Sequence, residues 1–156
     1  MLKSHSYRYA LKCTAIFIKE FGASLDPRLW MKLVLEEAAE VAEAWTEGDR
    51  EHILKESADL MYVTAGLELV SADGASLDLL PDGEGDAFST ALEATKASLE
   101  GIGEILFTDN ILAEAIARVH ASNMSKLGDD GKPIKREDGK ILKGPNYKEP
   151  DLSDLV

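Results

Sequence analysis

Two pairs of acidic residues lie where the helical pattern of this chain predicts apolar side chains. The first pair is Glu37 and Glu40, and the second is Glu56 and Asp59. At about 100° per residue, Glu37, Glu56 and Asp59 share helix faces with apolar residues. Those residues are Trp30, Leu33, Val41 and Ala44 in the first segment, and Ile53, Leu60, Val63, Leu67 and Val70 in the second. Carboxylates are rarely buried without a positive partner, and neither face carries Lys or Arg. The pattern therefore predicts that these acids bind a cation.

All-oxygen ligands favour a hard divalent cation, Mg²⁺ first and Mn²⁺ as a substitute. Residues i and i+3 lie on one helix face, so each pair can hold one side of an ion. The alternative is a solvated acidic face. That alternative explains the acids on the polar side of the first segment, which are Glu36, Glu43 and Glu47. It does not explain the acids with apolar neighbours, which are Glu37, Glu56 and Asp59, and Glu40 lies between the two regions.

Capping and glycine signals predict that helices supply the scaffold. Asp26 and Pro27 are typical of a helix start, and Gly22 and Gly48 are placed to end helices. The predicted helices cover about residues 4–21, 27–46, 50–70, 87–106 and 109–126, with a surface loop over 71–86. Short connections make the second and third helices antiparallel neighbours. An Asp-Gly turn predicts a hairpin between 133–137 and 140–143. The sequence thus predicts an all-α antiparallel helical bundle with a partly ordered C-terminal hairpin or arm.

A chain of 156 residues fits one domain with a real core. We expect a helical core over 4–127, an inserted loop and helix at about 74–106, and an arm over 128–156. Residues 1–125 carry 22 acidic and 10 basic side chains, which accounts for the whole net charge of −12, whereas residues 126–156 carry seven of each. An acidic body argues against a nucleic-acid duplex as partner. It admits a small phosphorylated ligand if metal ions supply the positive charge.

The single cysteine, Cys13, excludes an internal disulfide and a multi-cysteine metal site. Its position on the first predicted helix favours a small buried residue. The first residues show no signal-peptide pattern, and Glu68 and Asp73 interrupt the best candidate for a membrane span. We therefore expect a cytoplasmic protein that has no membrane partner.

A second group of candidates, Asn123-Met-Ser-Lys126, closes the last predicted helix. Asn123 continues the apolar stripe formed by Leu112, Ile116 and Val119, so it should point inward and needs hydrogen-bonding partners. Beside a carboxylate–metal cluster, Asn123 and Lys126 can bind a phosphate or a base. The alternative for Lys126 is a lysine that only complements the helix dipole.

Further candidates surround these two groups. Glu36 lies only about 40° from Glu40 on the helical wheel, so it either accepts a proton from an attacking water or belongs to the plain surface. His52 either supports the metal ligands or is an ordinary surface histidine. Trp30 and Tyr147 are candidates for base stacking, although core packing explains both more simply. The basic residues of the tail either screen a polyphosphate or keep an exposed arm soluble; they are Lys132, Lys135, Arg136, Lys140 and Lys143.

The motif E-x-x-E followed by E-x-x-D, with N-x-x-K at the end of another helix, resembles the all-α nucleoside triphosphate pyrophosphohydrolases. These include MazG-like proteins, dimeric dUTPases and phosphoribosyl-ATP pyrophosphohydrolase. The stretches 123–132, 136–140 and 143–147 resemble the tail of a MazG-like branch. The resemblance covers about residues 28–70 and 109–152. The stretch from about Gly74 to Leu106 is longer than a minimal core of the family needs.

The resemblance implies that the four acids bind Mg²⁺ and that water attacks the α-phosphorus, releasing pyrophosphate and leaving a monophosphate. It places Glu36 where such enzymes draw a general base, and Asn123 and Lys126 against the nucleotide, with the tail lysines closing over it. It also implies a homodimer or homotetramer. We expect a house-cleaning enzyme acting on dUTP or a related nucleotide. The alternatives are phosphoribosyl-ATP pyrophosphohydrolase and a non-catalytic helical interaction module that binds a structural divalent ion or a basic partner.

Overall fold

The computed structural model describes residues 4–72 and 106–156. Within these ranges the chain forms four α-helices, which are α1 (His5–Phe21), α2 (Pro27–Glu47), α3 (Arg50–Ala72) and α4 (Asp109–Met124). Two short strands, β1 (Ile134–Lys135) and β2 (Ile141–Leu142), and a final 3₁₀ turn at Ser153–Leu155 follow α4. The predicted all-α fold class is confirmed. The predicted helix at 87–106, except for its last residue, and the predicted loop at 71–86, except for its first two residues, lie outside the described residues.

Local capping determines where the helices begin and end. The Asp26 side chain accepts the backbone N–H of Arg28 at the start of α2. Gly22 and Gly48 adopt the left-handed conformation, with φ of 53° and 74°, at the ends of α1 and α2. A side chain is strained at such φ values, so glycine is favoured at both ends. The helix ends predicted at these two glycines are confirmed.

Two helix ends differ from the prediction. Helix α3 continues to Ala72, two residues beyond the expected end. Helix α4 ends at Met124, because the next residues form a tight turn in which the N–H of Lys126 donates to the carbonyl of Asn123 at 3.1 Å. Lys126 therefore lies just after the helix rather than on its last turn.

The core lies where α3 packs against the other three helices. The connection between α2 and α3 is only two residues long, so these helices lie side by side and antiparallel. Helices α1 and α4 pack against α3 and against each other. The apolar residues predicted to face inward on α2 are all buried, and they are Trp30, Leu33, Val41 and Ala44. The predicted register of α2 is thus correct.

The C-terminal arm folds back over the α1–α2 corner. Strands β1 and β2 form an antiparallel hairpin, with Lys135 opposite Ile141, and Gly139 lies in its turn with φ of 92°. The Nζ of Lys135 donates to the carbonyl of Gly22 at 2.7 Å. Further along, Leu152 is completely buried. The arm is therefore an integral part of the fold.

None of the described helices combines the length and the apolar character that crossing a membrane requires.

Candidate metal centre and adjoining pocket

Three of the four predicted acids meet between α2 and α3. Glu37 comes from α2, and Glu56 and Asp59 come from α3. One carboxylate oxygen of each lies within 4.8 Å of those of the other two. The spacing i, i+3 places the α3 acids on one face of that helix, and the antiparallel packing of α2 brings Glu37 opposite them. We call these three residues the acid cluster.

Glu56 is the most deeply buried member of the acid cluster. Its side chain is only 3% exposed. Its Oε1 accepts a hydrogen bond from Lys55 at 2.8 Å and lies 3.1 Å from Nε2 of His52. Its Oε2 is buried and has no hydrogen-bonding partner among the described residues. A buried carboxylate oxygen without a partner is costly. The three-carboxylate donor set, with this oxygen free, fits a hard divalent cation.

Electrostatic strain falls on both Glu37 and Asp59. Burial, followed by the charges of Asp59, Glu40 and Glu56, raises the pKa of Glu37 to about 8. Burial also raises the pKa of Asp59. Both shifts show that the site disfavours several negative charges at once when no metal ion is bound.

Glu40 lies at the edge of the acid cluster rather than inside it. The residue is exposed, unlike Glu56. Partial desolvation, together with the charge of the neighbouring Glu56, raises the pKa of Glu40. The structure thus brings Glu40 next to Glu56 but does not include it in the compact group of three.

Lys55 reaches two of these acids, although no lysine shares their helix faces. Lys55 donates to Glu56 Oε1 and, at 3.0 Å, to Asp59 Oδ2. The helical wheel missed this contact because it assigns each residue a direction and ignores the reach of a long, flexible side chain. The spacing i, i+4 between Lys55 and Asp59 is the signal that predicts it.

Glu36 points to the arm. Its Oε2 accepts a hydrogen bond from Lys140 at 2.6 Å, and its Oε1 lies 3.8 Å from the guanidinium of Arg136. The Lys140 hydrogen bond lowers the pKa of Glu36. Glu36 is therefore ionised at neutral pH and paired with the hairpin.

A largely apolar pocket of about 80 Å³ adjoins the acid cluster. Glu37 and Asp59 form part of its wall, so the pocket and the acids are continuous. Four predicted substrate-binding residues line it, namely Trp30, Asn123, Lys126 and Lys140. The rest of its wall comes from α1, α2, α3, the α1–α2 connection and the β1–β2 hairpin. It consists of Phe17, Ala23, Ser24, Leu29, Leu33, Tyr62, Val63, Gly139 and Ile141.

Lys126 lines this pocket together with Glu37 and Asp59. Burial lowers the pKa of Lys126, and the charges of Asp59 and Glu37 oppose that shift. The ammonium is thus poorly solvated and close to carboxylates, a setting that favours an additional anionic partner.

Two predicted substrate contacts lie in a different place. Tyr147 packs under the ammonium of Lys143, which is 4.5 Å from the centre of its ring. Neither residue lines the pocket beside the acids. The same holds for two other predicted contacts: Lys132 is exposed, and Arg136 pairs with Asp138 at 2.5 Å.

Sequence reasoning overlooked Tyr62, which is buried in the pocket wall. Its hydroxyl lies 2.8 Å from Nδ1 of His120 on α4. Tyr62 follows Asp59 by three positions on α3, so it shares the face of the acids. That spacing could have identified Tyr62 as a candidate, but an inward-facing tyrosine usually belongs to the hydrophobic core.

The comparison with protein families agrees with the fold and the acids. Residues 16–77 match the family model of phosphoribosyl-ATP pyrophosphohydrolase. The match confirms the resemblance to the MazG-like nucleotide pyrophosphohydrolase superfamily, and it supports a nucleotide pyrophosphohydrolase kind of function. The matched range is less than half of the chain and contains both acidic pairs, whereas Asn123, Lys126 and the arm lie outside it. Searches of curated proteins and of solved structures found no match.

Proposed function

We propose that this protein is a Mg²⁺-dependent nucleoside triphosphate pyrophosphohydrolase. The reaction converts a (d)NTP and water to a (d)NMP and diphosphate, with dUTP or a related nucleotide as substrate. The observation that carries the proposal is the unpartnered, buried Oε2 of Glu56 in a cluster of three carboxylates beside an apolar pocket. A metal site and an apolar recess side by side suit a nucleotide and its phosphates.

The acid cluster would hold the ion, with Glu40 adding a ligand from the exposed edge. Mg²⁺, or Mn²⁺ in its place, supplies Lewis-acid polarisation of the phosphoryl oxygens and lowers the pKa of a bound water. A triphosphate would otherwise be repelled, because the body of the chain carries the whole net charge of −12.

The pocket would take the nucleoside part of the substrate. Trp30 and the apolar wall exclude water from the base, and Asn123 supplies amide hydrogen bonds. Lys126 and Lys140 bring positive charge to the boundary between pocket and acids, where the phosphates would lie. The other arm residues, Lys132, Arg136, Lys143 and Tyr147, would contact the nucleotide only if the arm moved.

Glu36 would act as the general base. Its lowered pKa keeps it ionised, as a proton acceptor must be. Its hydrogen bond with Lys140 occupies Oε2, and Oε1, which lies 3.8 Å from the guanidinium of Arg136, would accept the proton. Phosphate groups of a bound nucleotide would offer Lys140 an alternative partner.

The family match favours a second candidate, phosphoribosyl-ATP pyrophosphohydrolase. Its substrate carries an additional phosphoribosyl group on the base. The acid cluster and the adjoining pocket suit the phosphates and the base of either substrate. We keep the simpler nucleotide as first choice because the stretches 123–132, 136–140 and 143–147, which resemble a MazG-like tail, lie outside the matched range 16–77.

A substrate panel tests these proposals. Pyrophosphate release is measured with Mg²⁺ for the common ribo- and deoxyribonucleoside triphosphates and for phosphoribosyl-ATP. Turnover of dUTP or a close relative is expected, and turnover of phosphoribosyl-ATP alone would select the second candidate. Metal binding without turnover of any of them would leave only the non-catalytic interaction module.

We also propose a homodimer or homotetramer, as the family resemblance implies. A cytoplasmic location, expected from the sequence pattern, is a separate proposal. Light scattering at micromolar concentration tests the assembly, and a monomer would contradict it.

A further inference from the structure

Lys55 occupies the acid cluster as an internal counter-cation. Its Nζ lies 2.8 Å from Glu56 Oε1 and 3.0 Å from Asp59 Oδ2. Its side chain is 31% exposed, compared with 3% for Glu56. The ammonium thus bridges the two α3 carboxylates at the more exposed edge of the cluster, and it leaves Glu56 Oε2 free.

A divalent ion would change the balance of charge around Lys55. In the metal-free protein, one ammonium offsets part of the repulsion among carboxylates whose oxygens lie within 4.8 Å of one another. An ion on the same carboxylates brings two further positive charges to them, so it repels the ammonium of Lys55. The partly exposed lysine has a flexible four-carbon stem and can turn away from Glu56 and Asp59.

We propose that Lys55 exchanges partners when substrate binds. It holds Glu56 and Asp59 in the metal-free protein and moves to a phosphate oxygen of the nucleotide once those carboxylates carry the metal. Lys55 therefore opposes binding of the metal alone and favours the metal–nucleotide complex. The phosphate contact, which is the second half of this inference, rests on the proposed function. The opposition to the metal ion, which is the first half, rests on the acid cluster alone.

The variant Lys55→Met tests both halves, because it keeps the length of the side chain and removes the charge. Mg²⁺ is first titrated alone by calorimetry. Metal affinity should rise about threefold, a modest change because partly exposed ion pairs are weak. A non-hydrolysable α,β-imido analogue of dUTP is then titrated at saturating Mg²⁺. Its affinity should fall about tenfold through the loss of one charge-assisted hydrogen bond.

Three further variants complete the design. Lys12→Met makes the same charge change at an exposed position on α1 and should leave both affinities unchanged. Lys55→Arg keeps the charge and should retain most of the analogue affinity. Lys55→Gln replaces the methionine variant if that variant fails to fold.

The outcomes separate the alternatives. A fall in metal affinity in Lys55→Met would overturn the exchange, because Lys55 would then position the carboxylates for the ion. Unchanged affinities in both titrations would also overturn the exchange, because Lys55 would then form only an ordinary ion pair within α3. If the wild-type protein binds Mg²⁺ but not the analogue, the nucleotide proposal and the phosphate half fail together, and the metal titration alone still decides the first half.

Discussion

The indole ring of Trp30 lies directly against the backbone of Gly66. A Cβ atom at position 66 would be only 2.0 Å from Cζ3 of that ring. The Nε1 of the same indole donates to the carbonyl of Ser24 at 2.7 Å. The missing side chain at Gly66 therefore allows α2 and α3 to approach closely, next to the acids that both helices carry.

Replacing Gly66 with alanine should destabilise the protein by about 1–3 kcal/mol, because the methyl group overpacks the Trp30 site. The sign is informative, since glycine to alanine inside a helix otherwise stabilises by about 1 kcal/mol. Urea unfolding measures the change. Gly66→Ala should destabilise a chain that already carries Trp30→Leu by less than it destabilises the wild-type chain. Equal destabilisation in both chains would show that the added methyl group does not clash with Trp30.

Neutralising a predicted metal ligand should abolish turnover without unfolding the protein. For Asp59→Asn and Glu40→Gln we expect the rate of pyrophosphate release to fall more than about 100-fold. Loss of a residue that only hydrogen-bonds to a metal ligand has a smaller effect. Circular dichroism should show unchanged helix content. Glu43→Gln, an equally conservative change at an exposed position of α2, is the control and should keep its activity. Near-normal activity of Asp59→Asn would refute the metal site.

The metal-free protein should lose stability as the pH rises from about 4.5 to about 8. The carboxyl of Glu37 has a pKa of about 8 in the folded protein, against an ordinary value of 4.5. Below pH 4.5 it is protonated in both states. Between these values only the unfolded chain releases the proton, so unfolding becomes progressively easier. Thermal unfolding with EDTA measures this trend.

Glu37→Gln should flatten that pH dependence and raise the melting temperature of the metal-free protein near pH 8. Saturating Mg²⁺ should stabilise the wild-type protein there, because the ion binds only the folded state. A melting temperature that is the same at pH 5 and pH 8 in EDTA would contradict the strain assigned to Glu37.

Lys140→Gln should shift the acidic limb of the pH profile of kcat/KM to higher pH. The Lys140 hydrogen bond lowers the pKa of Glu36, so removing that hydrogen bond raises the pKa. A general base with a higher pKa becomes protonated earlier as the pH falls, so activity is lost at a higher pH. An unshifted limb would exclude Glu36 as the base. Truncation after Gly128 is a poorer test, because it also removes the fully buried Leu152 and destabilises the fold.

The helices and the burial of the acids were predictable because both depend on local rules. A left-handed glycine such as Gly22 or Gly48 ends a helix through the conformation of its own backbone. The period of about 3.6 residues per turn then determines which side chains share a face with Trp30 or Leu60. No knowledge of the neighbouring helices is needed for either conclusion.

The contacts of long side chains were not predictable in the same way. Lys55 reaches Glu56 and Asp59 because an ammonium can leave the direction of its own Cβ. Glu36 and Lys140 are 104 residues apart and meet only because the hairpin folds over α2. The contact between Lys143 and the ring of Tyr147 likewise depends on the path of the arm.

The sequence by itself thus determined the helical fold class, the boundaries of the four described helices to within about two residues, and the inward face on which the acids lie. Only the tertiary structure decided that Glu37, Glu56 and Asp59 form the compact group while Glu40 stays at its edge. It also decided that Lys55 neutralises part of this group and that the hairpin closes the pocket. The physical reason is that periodicity defines directions along one helix, whereas distances between charges depend on how separate segments pack.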